Sequence, residues 1–132
     1  MPVHAMDHFT VLSDDLDATR AFYARILGLI DGPRPDLGFP GAWLYIGERA
    51  VLHIVSGRAV PSESAGVLDH IAFGGTGLRE TAALLEAEGV EYLLRRQGGT
   101  GPWQLFFHDP SGARVEVDFD ASEAPPDRHS TG

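Results

Sequence analysis

The chain has 132 residues, 43% of them hydrophobic, which suits one compact domain with its own core and excludes a disordered polypeptide. A formal net charge of −9 argues against nucleic acid as a partner, and no apolar run approaches the roughly 20 residues that span a bilayer. The absence of cysteine excludes disulfides and thiolate metal ligands, and with no signal peptide in view a cytoplasmic location is expected.

In chain order, the apolar run MDHFTV around His8 reads as a first strand. A helix over 15–27 follows in LSDDLDATRAFYARILGL, where Ala18, Phe22, Ile26 and Leu29 recur at helical steps. Ser13 or Asp14 offers the N-cap and Gly28 the stop. Extended runs follow at 29–35, 42–46 and 49–55, the last two joined by a turn at Gly47. SGRAVPSESAG, 56–66, has the composition of a linker. The second half repeats the order. LDHIAF is a strand, GLRETAALLEAEGVEY carries a helix over 78–88 with the stripe Leu78, Thr81 and Leu85, and Gly89 stops it. Strands at 91–96, 103–108 and 113–119 follow, the last two separated by Asp109-Pro-Ser-Gly112. The segment from Ser122 to the end, 122–132, is expected to be disordered.

The two halves share a register. His8 and His70 stand 62 positions apart, as do Leu16 and Leu78, and Phe22 and Leu84. Each half is therefore β-α-β-β-β, with modules at about 3–56 and 67–120 in one domain, 1–121. At about 55 residues neither half could bury its sheet face alone.

The same register pairs His53 with Glu116, each in the middle of a last strand. Strand alternation puts His8, His53, His70 and Glu116 on the face away from the helix, with small Thr10, Ala72 and Gly74 beside them. Asp7 and Asp69 fall on the opposite face by the same rule and are not expected to partner the neighbouring histidines. Three imidazoles and a carboxylate on one face form a metal-ligand inventory suited to Fe(II), Mn(II), Ni(II), Co(II) or Zn(II). One half-buried strand histidine is ordinarily a hydrogen-bonded structural residue. Four polar groups at symmetry-related positions are hard to explain as packing, because burying them unpaired is costly.

Other polar and aromatic residues have plainer readings. Arg114 and Asp118 share the Glu116 face and read as a solvated strand end. Trp43, Tyr45, Trp103 and Phe107 could wall a substrate pocket, with core packing expected for at least half of them. His108 reads as a turn residue, His4 and His129 as solvated, and Arg95-Arg96 as an exposed pair before a glycine-rich loop.

DHFTVLSDDLDATRAFYARILGL, GAWLYIG, LHIV, LDHIAF and FFHDPSGARVEVDF together resemble the vicinal oxygen chelate superfamily over about 3–119. That superfamily includes glyoxalase I, methylmalonyl-CoA epimerase, extradiol dioxygenases, and the fosfomycin and bleomycin resistance proteins. The nearest likeness is to small glyoxalase-I-like proteins. The resemblance implies an α+β fold in which two βαβββ modules form a curled mixed-sheet cup around a divalent metal. By position it makes His8, His70 and Glu116 ligands, with His53 at the fourth ligand position, and Glu116 or His53 the acid–base group. Glyoxalase I carries a glutamate where His53 stands, whereas the extradiol enzymes use two histidines and one glutamate. A metal-dependent lyase, isomerase or dioxygenase acting on a small molecule with vicinal oxygens is expected, as a homodimer. The rival is a metal-free protein that sequesters a drug or metabolite. Thiol transfer to an epoxide such as fosfomycin would need a cationic cluster, which ten basic residues do not supply.

Overall fold

The computed structural model describes residues 2, 4–63 and 66–127. These fall into two compact units, Met1–Ser62 and Glu63–Gly132. In the first, β1 (Phe9–Ser13) leads into α1 (Leu16–Leu27), followed by β2 (Ile30–Gly32), β3 (Gly41–Ile46) and β4 (Arg49–Ser56). The sheet order is β1-β4-β3-β2, with β1 parallel to β4 and the other pairs antiparallel. The second unit repeats this with β5 (Ile71–Gly74), α2 (Leu78–Ala87), β6 (Leu93–Arg96), β7 (Trp103–His108) and β8 (Arg114–Phe119), in the order β5-β8-β7-β6. The fold is α+β, two βαβββ modules, and His8 and His70 directly precede equivalent first strands.

Contrary to the expectation from module length, each module has one buried sheet face, with its own helix contributing buried residues. In the first, Val11, Ala42, Leu44, Leu52 and Ile54 alternate inward and α1 covers them with Phe22, Tyr23 and Ile26. Thr19, not Ala18, is the buried residue of the first turns. The helix starts one residue later than expected, so its N-cap is Asp15, whose carboxylate accepts from the Ala18 amide at 3.1 Å. Gly28 ends it in the left-handed region, φ 71°. In the second module Ile71, Leu94, Leu105, Val115, Val117 and Phe119 are buried with Leu78, Ala82 and Leu85 of α2. Ala82 replaces Thr81 in the stripe, because the Thr81 hydroxyl turns back to the Gly77 carbonyl at 2.9 Å.

The segment from Ser122 was expected to be disordered. Its described part, 122–127, instead makes specific contacts, and 128–132, including His129, lie outside the described residues. The N-cap of α2 is Gly77, which has no side chain to accept from the helix amides. Glu123 does so from outside: its carboxylate receives the Gly77 amide at 3.1 Å and the Leu78 amide at 2.7 Å. Trp103 Nε1 donates to the Glu123 carbonyl at 2.9 Å, and Arg79 holds Pro125 and Asp127. No helix among the described residues is long and apolar enough to cross a membrane.

Candidate functional site

The four candidate groups are gathered in pairs, one pair in each unit. In the second unit Ala72 lies opposite Glu116 in the β5–β8 ladder, and His70, just before β5, turns its ring to Glu116. His70 Nε2 stands 2.9 Å from Glu116 Oε1. The Glu116 side chain is only 7% exposed, so burial requires partners for both of its oxygens. The other oxygen accepts from Gln104 Nε2 at 3.3 Å. Asp118, next on that face, has its pKa pushed up to about 6, first by burial and then by hydrogen bonding to, and repulsion from, Glu116.

The aspartates beside the histidines are engaged, contrary to the alternation argument. Asp7 Oδ1 lies 2.6 Å from His8 Nδ1, and Asp69 Oδ2 lies 2.7 Å from His70 Nδ1. The physical reason is local: β1 begins at Phe9 and β5 at Ile71, so residues 7, 8, 69 and 70 lie outside the ladders whose geometry enforces alternation. These hydrogen bonds hold both aspartates below the usual carboxylate range, with Arg114 contributing at Asp69. Arg114 Nη1 donates to Asp69 Oδ2 at 2.8 Å, so it is tied into this network and is not a solvated strand end. A carboxylate at Nδ1 orients the ring and frees Nε2 for a metal.

In the first unit Thr10 lies opposite His53, and His8, just before β1, again meets its counterpart on the last strand. Here the rings stack, His8 on His53 with centroids 3.7 Å apart and an 11° tilt, and Trp43 on His53 at 4.2 Å and 12°. An imidazole nitrogen offers its lone pair in the ring plane. Two near-parallel rings at this separation direct their lone pairs along different planes, so only one of them can address a given ion. Asp7 makes His8 the better oriented. Burial, then the neighbouring His8, pulls the His53 pKa below the ordinary imidazole value. His53 thus lies stacked between His8 and Trp43, with its imidazole disfavoured in the charged form.

Of the four aromatic candidates, Trp43 lies on this face. Tyr45 packs over Gly32, where a Cβ would meet its ring at 2.7 Å, and its hydroxyl donates to the Pro33 carbonyl at 2.5 Å. Trp103 and Phe107 pair with Phe119 and Val115 and are buried on the opposite, core face. They alternate with Glu116's cross-strand partner, Phe106, and Phe107 still reaches the lining of a cavity shared with Phe106 and Arg114. Phe106 was missed, along with Gln104. Both follow from carrying the β7–β8 register through the Asp109 turn, whose carboxylate accepts from the Ser111 and Ala113 amides at 2.9 Å. Phe106 lies under the guanidinium groups of Arg114 at 4.5 Å and Arg95 at 5.1 Å.

The donor chemistry suits a divalent ion. Two ligand atoms about 2.0–2.2 Å from a metal and at about 90° to each other are about 3 Å apart. The 2.9 Å spacing of His70 Nε2 and Glu116 Oε1 fits two such adjacent positions. Within either unit, the described residues contain no group of three or more His, Asp or Glu side chains placed to hold a metal.

Two paired βαβββ modules with histidine and glutamate at equivalent strand positions define the class, and the comparisons agree with it. Residues 5–117 match the Glyoxalase/Bleomycin resistance protein/Dioxygenase superfamily, and the chain belongs to that family. It is 33% identical over 126 residues to "Glyoxylase I 4" of Arabidopsis thaliana, covering 88% of this chain and 72% of that protein. A glyoxalase family protein from Enterococcus faecalis is 28% identical with a TM-score of 0.66, covering 89% of this chain and 99% of that one. The fold is also shared with a mutant of the fosfomycin resistance protein FosX from Listeria monocytogenes, complexed with Mn(II) and 1S,2S-dihydroxypropylphosphonic acid. That chain is 19% identical with a TM-score of 0.74, covering 89% of this chain and 93% of that one.

Proposed function

We propose that this protein is a metal-dependent enzyme acting on a small molecule that chelates the ion through adjacent oxygens. Its reaction is that of a glyoxalase-like lyase or isomerase, or of an extradiol-type dioxygenase. His8, His70 and Glu116 are the ligands, a two-histidine, one-carboxylate set that leaves coordination positions open for substrate. The observation that carries the reading is the Asp69–His70–Glu116 array, in which the ring is oriented from behind through Nδ1 and its Nε2 lies 2.9 Å from a buried carboxylate oxygen.

A bound divalent ion would supply Lewis-acid stabilisation of negative charge developing on the substrate's two oxygens. His53, neutral and held between His8 and Trp43, is placed to accept a proton. Trp43 offers a flat apolar surface to the substrate beside it. The reading includes a homodimer, supported by the resemblance to small paired-module relatives.

Elemental analysis and metal titration of wild type, His70→Ala and Glu116→Gln test this. Loss of metal in both variants is expected, followed by turnover of glutathione hemithioacetals or catechols by the loaded wild type. Equal occupancy in all three would overturn the metal reading and leave a metal-free sequestering protein as the better account.

A further inference from the structure

We infer that Gln104 is a positioning residue that fixes the Glu116 carboxylate, with its own amide oriented by Arg95. The inference rests on Glu116 being a metal ligand. Gln104 lies opposite Asp118 in the β7–β8 ladder, hence diagonal to Glu116 on the same face, and its Nε2 meets Glu116 Oε2 at 3.3 Å. Because Oε1 is directed at His70, a donor on Oε2 sets the rotation of the carboxylate about its last bond.

An amide has a donor end and an acceptor end, and something must choose which faces Glu116. Arg95 makes that choice. It lies directly opposite Gln104 across β6–β7, and its Nε donates to Gln104 Oε1 at 3.3 Å. A guanidinium only donates, so the carbonyl must face Arg95 and the NH2 must face Glu116. The Phe106 ring beneath Arg95 gives the guanidinium a platform. The chain of contacts runs Arg95 to Gln104 to Glu116 to His70, all within one unit.

The other module supplies an internal control. Its ladder puts Trp43 opposite His53 where this one puts Phe106 opposite Glu116, and Gly41 opposite Val55 where this one puts Gln104 opposite Asp118. Where the central residue is an imidazole held by stacked rings, the diagonal position carries no side chain. Where it is a buried carboxylate, that position carries a hydrogen-bond donor. The difference follows what each group needs.

The test uses the full chain and two readouts. In metal-free protein, the His70 side-chain nitrogen resonances report its contact with Glu116. Gln104→Leu should shift them, Arg95→Ala should shift them the same way by less, and Arg95→Ala should add nothing in the Gln104→Leu background. In Mn(II) calorimetry, Gln104→Leu should weaken binding about tenfold or more, as loss of an outer-shell partner does. Additive effects of the two substitutions, or unchanged His70 resonances in folded Gln104→Leu, would overturn the positioning role. A wild type that binds no Mn(II), Co(II) or Zn(II) would instead remove the metal reading, and the metal-free resonances would still decide whether Gln104 positions Glu116.

Discussion

His70 Nε2 meets Glu116 Oε1 edge-on at 2.9 Å, whereas their counterparts by the repeat, His8 and His53, lie face to face with ring centroids 3.7 Å apart. The same backbone positions therefore serve different chemistry in the two modules. An edge-on pair offers two adjacent donors, and a stacked pair offers one donor and a shielded base. His53→Ala is expected to keep metal affinity within a few fold of wild type while lowering kcat. Calorimetry with Mn(II) beside steady-state kinetics checks this. A fall in affinity matching that of His70→Ala would make His53 a ligand.

The carboxylate of Glu123 does for α2 what Asp15 does for α1, but from 46 residues away in sequence. Two helix amides lose their acceptor in Glu123→Ala, and stability should fall by about 1–2 kcal/mol, the usual cost of a lost N-cap. Glu123→Gln, which keeps one acceptor oxygen, should lose less. Arg79→Ala should change little, because its ion pair with Asp127 is exposed. Urea midpoints of the three variants test the ranking, and a Glu123→Ala midpoint equal to wild type would remove the capping role.

Ser13 and Thr19 bury their hydroxyls against each other at 2.7 Å, at the junction of β1 and α1. Ser13 Oγ also accepts the Asp15 amide at 3.1 Å, so it joins strand, cap and helix. Ser13→Ala leaves the Thr19 hydroxyl and that amide without this partner and should cost about 1–3 kcal/mol. Thr19→Val, which removes one partner and keeps the volume, should cost less. The double variant should cost less than the two single losses together, since both remove the same bond. Additivity in chemical denaturation would show that the hydroxyls are not coupled.

Regular elements were legible in the sequence because their periods are set by residues inside them. Phe22 and Ile26 mark α1, Leu78 and Leu85 mark α2, and the 62-residue register aligns both Asp-His runs. The parity of Glu116 and His53 was legible for the same reason. Contacts that depend on where a period stops were not. Asp7 and Asp69 were misplaced because alternation was carried past the first paired residue of each strand. Trp103 and Phe107 are apolar and fit either face until the β7–β8 register is known, and that register depends on the Asp109 turn. Glu123 caps a helix whose own sequence shows only that Gly77 cannot. Nothing local to Ser122–Asp127 signals the partner.

Asp69 and Asp7 provide the remaining prediction. Each binds Nδ1 of the histidine that follows it, at 2.7 and 2.6 Å, and so directs Nε2 outward. Neither is a ligand in the proposed site, yet removal of such a partner loosens ring orientation and lowers ligand basicity. Asp69→Ala and Asp7→Ala should each weaken Mn(II) binding about 10–100-fold. Asp69→Asn retains an acceptor oxygen for Nδ1 and should fall between wild type and Asp69→Ala. Arg114→Ala removes the 2.8 Å contact to Asp69 Oδ2 and should act in the same direction but less, since Asp69 still reaches His70. The imidazole signals of His70 and His8 in metal-free variants provide the check on mechanism. Of the two aspartate substitutions, each signal should respond only to replacement of its own aspartate. Wild-type Mn(II) affinity in both alanine variants would show that the aspartates are incidental neighbours and that the rings are oriented by other contacts.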